Sequence, residues 1–128
     1  MSPRKYLRAA LAAAALSNAA PAPAAEAVIV VQRSPLAGFR HYDGRAFWRD
    51  MKPGDRLELV REPENPYDAG AIRVEWRGHK LGYVPRRDNA AVARQLDRGT
   101  PLEARVAALR ENRNRSVRIE FEVIAPLQ

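Results

Sequence analysis

The chain contains no cysteine. That excludes disulfides, thiolate metal sites and a cysteine nucleophile, and it suits an oxidising or a reducing compartment equally. His41 and His79 are the only histidines, and they do not form a metal-ligand spacing such as His-x-x-x-His. There is no Gly-x-x-x-x-Gly-Lys-Ser/Thr loop, so the chain is not expected to hydrolyse nucleotides. No serine sits in a nucleophile elbow. Paired carboxylates such as Glu58 and Glu62, or Glu120 and Glu122, alternate along strand-like stretches and read as solvated faces. These gaps argue against an enzyme and against a bound cofactor. No apolar run is long enough to span a bilayer. Lysine is scarce as well: Lys5, Lys52 and Lys80 stand against nineteen arginines in a chain of net charge +7. Arginine presents a planar, bidentate donor fork suited to phosphate, although a GC-rich genome supplies arginine by default.

The 128 residues allow one domain. The N-terminus reads as a targeting segment over residues 1–25. Arg4, Lys5 and Arg8 give a charged start, Ala9 to Leu16 a short apolar run, and Ala22-Pro23-Ala24 a small-x-small cleavage pattern. Cleavage near Ala24 or Ala25 removes those three cations and lowers the net charge from +7 to +4, so much of the basicity belongs to the leader. This predicts a periplasmic or secreted protein. The alternative is an uncleaved Ala-rich helix and Pro-Ala linker on a cytoplasmic protein.

Residues 26–128 read as a β-rich domain. Val28-Ile29-Val30-Val31 predicts a first strand over Ala27–Gln32. Phe39 to Tyr42 suggests a short extended piece, and Phe47, Trp48 and Met51 a turn of helix or loop plugging the core. Leu57 and Leu59 alternate with charge in a second strand. Pro63 to Gly70 must be loop, because Pro63 and Pro66 remove backbone donors. Ile72, Val74 and Trp76 alternate in a third strand, and Lys80 to Val84 forms a fourth. Asp88 is a candidate N-cap for a helix running to Arg98, docked by Val92 and Leu96 and stopped by Gly99. Leu102 to Ala108 and Val117 to Val123 alternate in the last two strands; the latter predicts Val117, Ile119, Phe121 and Val123 buried and Arg118, Glu120 and Glu122 exposed. About six short strands with one helix suit a small closed or half-closed barrel, an arrangement that limits exposed edges.

Two segments carry more than patterning: Gly54-Asp55-Arg56-Leu57-Glu58-Leu59-Val60-Arg61-Glu62-Pro63-Glu64-Asn65-Pro66-Tyr67-Asp68-Ala69-Gly70-Ala71-Ile72-Arg73-Val74, followed by Lys80-Leu81-Gly82-Tyr83-Val84-Pro85-Arg86. Together they resemble the HIRAN domain, a small β-rich module often joined to helicase-like ATPases, and the resemblance covers roughly residues 27 to 124. It implies an OB-like or SH3-like barrel that binds single-stranded DNA at a 3′ end, with any ATPase or helicase acting as a partner in trans; the chain itself is expected to be a monomer.

The resemblance also points to residues. Asn65-Pro66-Tyr67-Asp68 forms a stiff turn, since Pro66 fixes its own φ and restricts Asn65. Tyr67 there would stack on a base, and Asp68 with Asn65 would accept the terminal 3′-hydroxyl where an internal nucleotide carries a phosphate. The structural alternative is that Asn65 and Asp68 bond their own turn and Tyr67 packs inward. Members that bind DNA carry an Arg-Tyr pair to hold the backbone and stack on a base. Here the matching pair is Arg40 and His41, a departure, with Tyr42 next in line. Tyr83 falls where the family places a ligand contact, or else shares the core face with Leu81. Arg86 matches a phosphate-neutralising position, or forms a solvated pair with Arg87. A different class of function, an envelope module for a peptide or glycan, fits an exported protein as well.

Overall fold

The computed structural model describes residues 27–127. The expected leader over residues 1–25 lies outside the described residues. Within them the chain forms β1 (Val28–Pro35), two 3-10 helices (Phe39–His41 and Asp43–Asp50), β2 (Arg56–Arg61), β3 (Ile72–Trp76), β4 (His79–Tyr83), a 3-10 turn (Arg86–Asp88), the helix α1 (Ala90–Asp97), β5 (Glu103–Glu111) and β6 (Val117–Pro126).

The strands form one antiparallel sheet in the order β1-β6-β5-β2-β3-β4. Bulges in β1 between Val30 and Gln32, in β5 between Val106 and Ala108, and in the β3–β4 pair increase the local twist and coil the sheet around its core. The sheet is open except at one point: Ala37, just past β1, exchanges two 2.9 Å backbone hydrogen bonds with Tyr83 of β4. The six strands and one helix are those the alternating patterns predict, and the small, mainly β, OB-like architecture is the one the resemblance implies.

The core gathers one face of β2, β3, β5 and β6, with Leu81 from β4. Leu57, Ile72, Val74, Trp76, Ala104, Val106, Ile119, Phe121 and Val123 are buried around Phe121, with Met51 entering from the loop before β2. The alternation of β6 holds for Ile119, Phe121 and Val123. Val117, near the hairpin end, is only half-buried, and so are Glu120 and Glu122, which lean onto arginines of β1 and β5. β1 lies at the edge of the sheet, so Ile29 and Val30 remain about half exposed despite their apolar character.

Two local expectations are corrected. Phe39–His41 is a 3-10 turn and not extended, because Gly38 enters it at φ 81° and turns the chain inward, burying Phe39. The cap of α1 is Asn89 and not Asp88, which instead belongs to the preceding 3-10 turn and accepts a 3.2 Å bond from the Ser34 hydroxyl. α1 docks as expected through Val92, with Leu96 half-buried against the core and Ala93 buried beside them.

Candidate functional site

The loop between β2 and β3 is held from beneath by its own flanks. Arg61, the last residue of β2, donates from its guanidinium to the carbonyls of Ala71 (2.7 Å) and Ala69 (3.0 Å), and its other edge grips Asp97 of α1 at 2.9 Å. Glu62 follows. One of its oxygens accepts from Asn65 Nδ2 (3.0 Å) and the Tyr83 hydroxyl (2.9 Å), the other from Arg73 (2.6 Å). Glu62 is therefore a half-buried hub and not a solvated residue, because β2 ends beside it and the loop folds back over it. Burial alone would raise its pKa, but the donors Asn65, Tyr83 and Arg73 outweigh that and hold it below the ordinary carboxylate range.

On this base the Asn-Pro-Tyr-Asp turn closes with its polar side chains engaged. Asn65 Oδ1 accepts from the Tyr67 amide at 2.9 Å. Asp68 Oδ1 accepts from the Gly70 amide at 2.9 Å, and its Oδ2 accepts from Asn89 Nδ2 at 2.7 Å. Asn89 is buried, so its amide fixes the carboxylate against the start of α1. The Gly70 amide chiefly, helped by Asn89 and the charges of Arg86 and Arg61, lowers the Asp68 pKa against the opposing effect of burial. The carboxylate is ionised at neutral pH and retains lone pairs for a further donor. Tyr67 does not pack inward; it is 84% exposed at the tip of the turn.

The opposite wall comes from β4. Strict alternation would put Leu81 and Tyr83 on one face. The bulge breaks it: Glu75 pairs with Lys80 and Val74 with Gly82, leaving Leu81 as an extra residue turned into the core. Tyr83 then lies opposite Arg73, on the polar face. Its hydroxyl accepts from Lys80 Nζ at 2.8 Å, and the Lys80 ammonium lies 4.3 Å from the centre of the Tyr42 ring and 4.6 Å from that of Tyr83. The two tyrosine rings meet edge to face at 6.0 Å. Gly82 makes the wall possible: its φ is +153°, and a Cβ there would run into the Ala37 carbonyl that closes the sheet.

The result is an open cleft of about 420 Å³ lined by Ala37, Tyr42, Asn65, Pro66, Tyr67, Asp68, Ala71, Tyr83, Val84 and Arg86. Six of the eight candidate residues meet there: Tyr42, Asn65, Tyr67, Asp68, Tyr83 and Arg86. Arg40 and His41 do not; they line a separate groove on the far side of the 35–42 segment. The supporting residues Arg61, Glu62, Lys80 and Asn89 escaped the sequence reading, since each acts through a partner distant in the chain. Chemically the cleft offers flat aromatic surface, one exposed guanidinium, and one ionised carboxylate fixed at its rim. No cluster of residues able to hold a metal occurs among the described residues.

Comparison with known proteins bears on what such a cleft is for. A family model described as the HIRAN domain matches residues 29–128. A protein of Arabidopsis thaliana named putative SWI/SNF-related matrix-associated actin-dependent regulator of chromatin subfamily A member 3-like 1 is 35% identical over 96 residues, which is 73% of this chain and 10% of that protein. The helicase-like transcription factor of Mus musculus is 38% identical over 66 residues, 51% of this chain and 6% of that protein. The chain thus spans a tenth or less of these curated relatives. Among solved structures, a Lactobacillus plantarum protein superposes with a TM-score of 0.62 at 28% identity, over 77% of this chain and 98% of its own. The HIRAN domain of human HLTF superposes with a TM-score of 0.59 at 22% identity, over 76% of this chain and 77% of its own, which shows the shared fold.

Proposed function

Because the chain belongs to the HIRAN domain family, we propose that it is a non-catalytic nucleic-acid-binding module whose cleft takes the 3′ end of a single strand. The observation that carries the reading is the meeting of an exposed tyrosine, a guanidinium and a fixed carboxylate in one cleft: Tyr67, Arg86 and Asp68. Tyr67 offers a face to the terminal base without regard to its identity. Arg86 neutralises the last phosphate. Asp68, with Asn65 beside it, accepts a hydrogen bond from a free 3′-hydroxyl and repels a phosphate at the same place. The carboxylate would be a liability against an internal nucleotide and is an asset only at an end. Tyr42 and Tyr83 supply further apolar surface at the wall, and Arg40 with His41 engages the backbone as it leaves the cleft.

The reading predicts that a short single strand ending in a 3′-hydroxyl binds more tightly than the same strand ending in a 3′-phosphate, and that a circular single strand binds most weakly. Fluorescence anisotropy with the three ligands tests it. Equal affinity for all three contradicts an end-binding cleft. Any ATP-driven step would come from a helicase-like partner in trans. Residues 1–25 are proposed to be an export leader; N-terminal sequencing of the protein recovered from cells checks this, and an intact Met1 contradicts it.

A further inference from the structure

The groove behind the cleft is larger, about 960 Å³, and its charge is of one sign. Arg40, Arg45, Arg87, Arg115 and Arg118 line it with His41, around an apolar floor that includes Trp48 and Val117, and no carboxylate belongs to the lining. These arginines come from three distant places: the 3-10 segment after β1, the turn before α1, and the tip of the β5–β6 hairpin. Elsewhere on the molecule Arg33, Arg56, Arg61, Arg73 and Arg105 are each held by a carboxylate, while others among the described residues, such as Arg77, Arg86 and Arg94, are not, so it is the gathering of such arginines in one groove that sets it apart. In the groove only Arg87 has one, Asp88 at 3.7 Å, and none of the ion pairs among the described residues engages Arg40, Arg45, Arg115 or Arg118. Converging unpaired guanidinium groups repel one another, and a polyanion laid among them removes that repulsion.

The groove and the cleft share a thin partition. Ala37 and Tyr42 line the cleft while Leu36, Gly38, Phe39, Arg40 and His41 line the groove, and Arg86 faces the cleft where its neighbour Arg87 faces the groove. We infer that the groove is a second binding site, for the phosphodiester backbone upstream of the end held in the cleft, with Arg115 and Arg118 of the hairpin as its outer clamp. The inference rests on the proposed function for its polarity and shares Arg40 and His41 with it; Arg45, Arg87, Arg115 and Arg118 are the residues it adds. Two sources offer the same chemistry: the continuation of the single strand, or the duplex behind a recessed end.

The test compares the full chain with its Arg115→Ala/Arg118→Ala variant, both positions being exposed. The ligands are a 3′-hydroxyl trinucleotide, a 15-nucleotide single strand, a duplex with a three-nucleotide 3′ overhang, and a circular single strand. The variant should bind the trinucleotide as the parent does. It should lose about tenfold on the longer ligands, and its salt slope should flatten by about 1.4, for two single-strand phosphate contacts. A loss confined to the 15-mer identifies the single strand as occupant, and a loss confined to the overhang identifies the duplex. An equal loss on the trinucleotide, or no loss on any long ligand, overturns the inference. Failure of the parent to prefer the 3′-hydroxyl end would sink the proposed function alone, since a loss on the circular strand still reads the groove. Equally tight, arginine-dependent binding of polyglutamate would show a general polyanion surface and overturn the assignment to phosphodiesters.

Discussion

Tyr67 and Asp68 are neighbours with opposite structural debts. Tyr67 is 84% exposed and its side chain contributes little to the core, whereas Asp68 accepts two hydrogen bonds that organise the loop. Their substitutions should therefore differ in kind. Tyr67→Ala should weaken oligonucleotide binding by about 1–3 kcal/mol, the worth of one base stacked on an aromatic ring. The melting temperature should stay where it is. Calorimetry of binding together with thermal melting checks both halves, and a drop in melting temperature without a change in affinity would make Tyr67 a structural residue. For Asp68 the useful replacement is Asn, which keeps a side-chain acceptor for the Gly70 amide while removing the charge.

At the scale of elements, the loop and β4 decide whether the cleft exists. Glu62 has a pKa below the ordinary carboxylate range in the folded state. The unfolded chain then takes up its proton at a higher pH than the folded one does. The stabilisation from Glu62 is complete above the ordinary carboxylate range and is lost as the pH falls through its depressed folded value. Melting temperature should fall on acidification through that window, and Glu62→Gln should flatten the fall while lowering the plateau at neutral pH. A parallel acid limb in the variant would assign the effect to other carboxylates. Gly82→Ala should cost about 1–3 kcal/mol from its unfavourable φ alone, with more from the encounter with Ala37, measured by urea unfolding. A neutral result would show that the Ala37–Tyr83 bridge does not shape β4. The element readings also mark what a sequence can carry. Alternation placed Ile72, Val74, Ile119 and Phe121 on the core face without any knowledge of partners. It did not place Tyr83, because a bulge depends on how Val74 and Glu75 pair with β4, and one extra residue reverses every later side chain. The hub at Glu62 was hidden for the same reason: its partners Arg73 and Tyr83 lie on other strands.

For the whole molecule, the coiled sheet sets a cleft and a groove on either side of one segment, 35–42, with α1 and the β5–β6 hairpin as outer supports. The stiff Asn-Pro-Tyr-Asp turn was legible from Pro66, and so was its place beside Tyr83 and Arg86, through the family's motif order. The separation of Arg40 and His41 from that turn was not, since Gly38 redirects the chain by a backbone conformation and not by a pattern of side chains. Recognition of a strand end through the charge of Asp68 is the property on which the proposed function turns. It is tested by the ratio of affinities for one oligonucleotide ending in a 3′-hydroxyl and in a 3′-phosphate, measured for the parent and for Asp68→Asn. The parent is expected to prefer the hydroxyl by about tenfold or more, about 1.4 kcal/mol, a preference that collapses toward unity in Asp68→Asn as binding to the phosphate end rises. A parent that binds both ends alike, or a preference that survives the substitution, would contradict it.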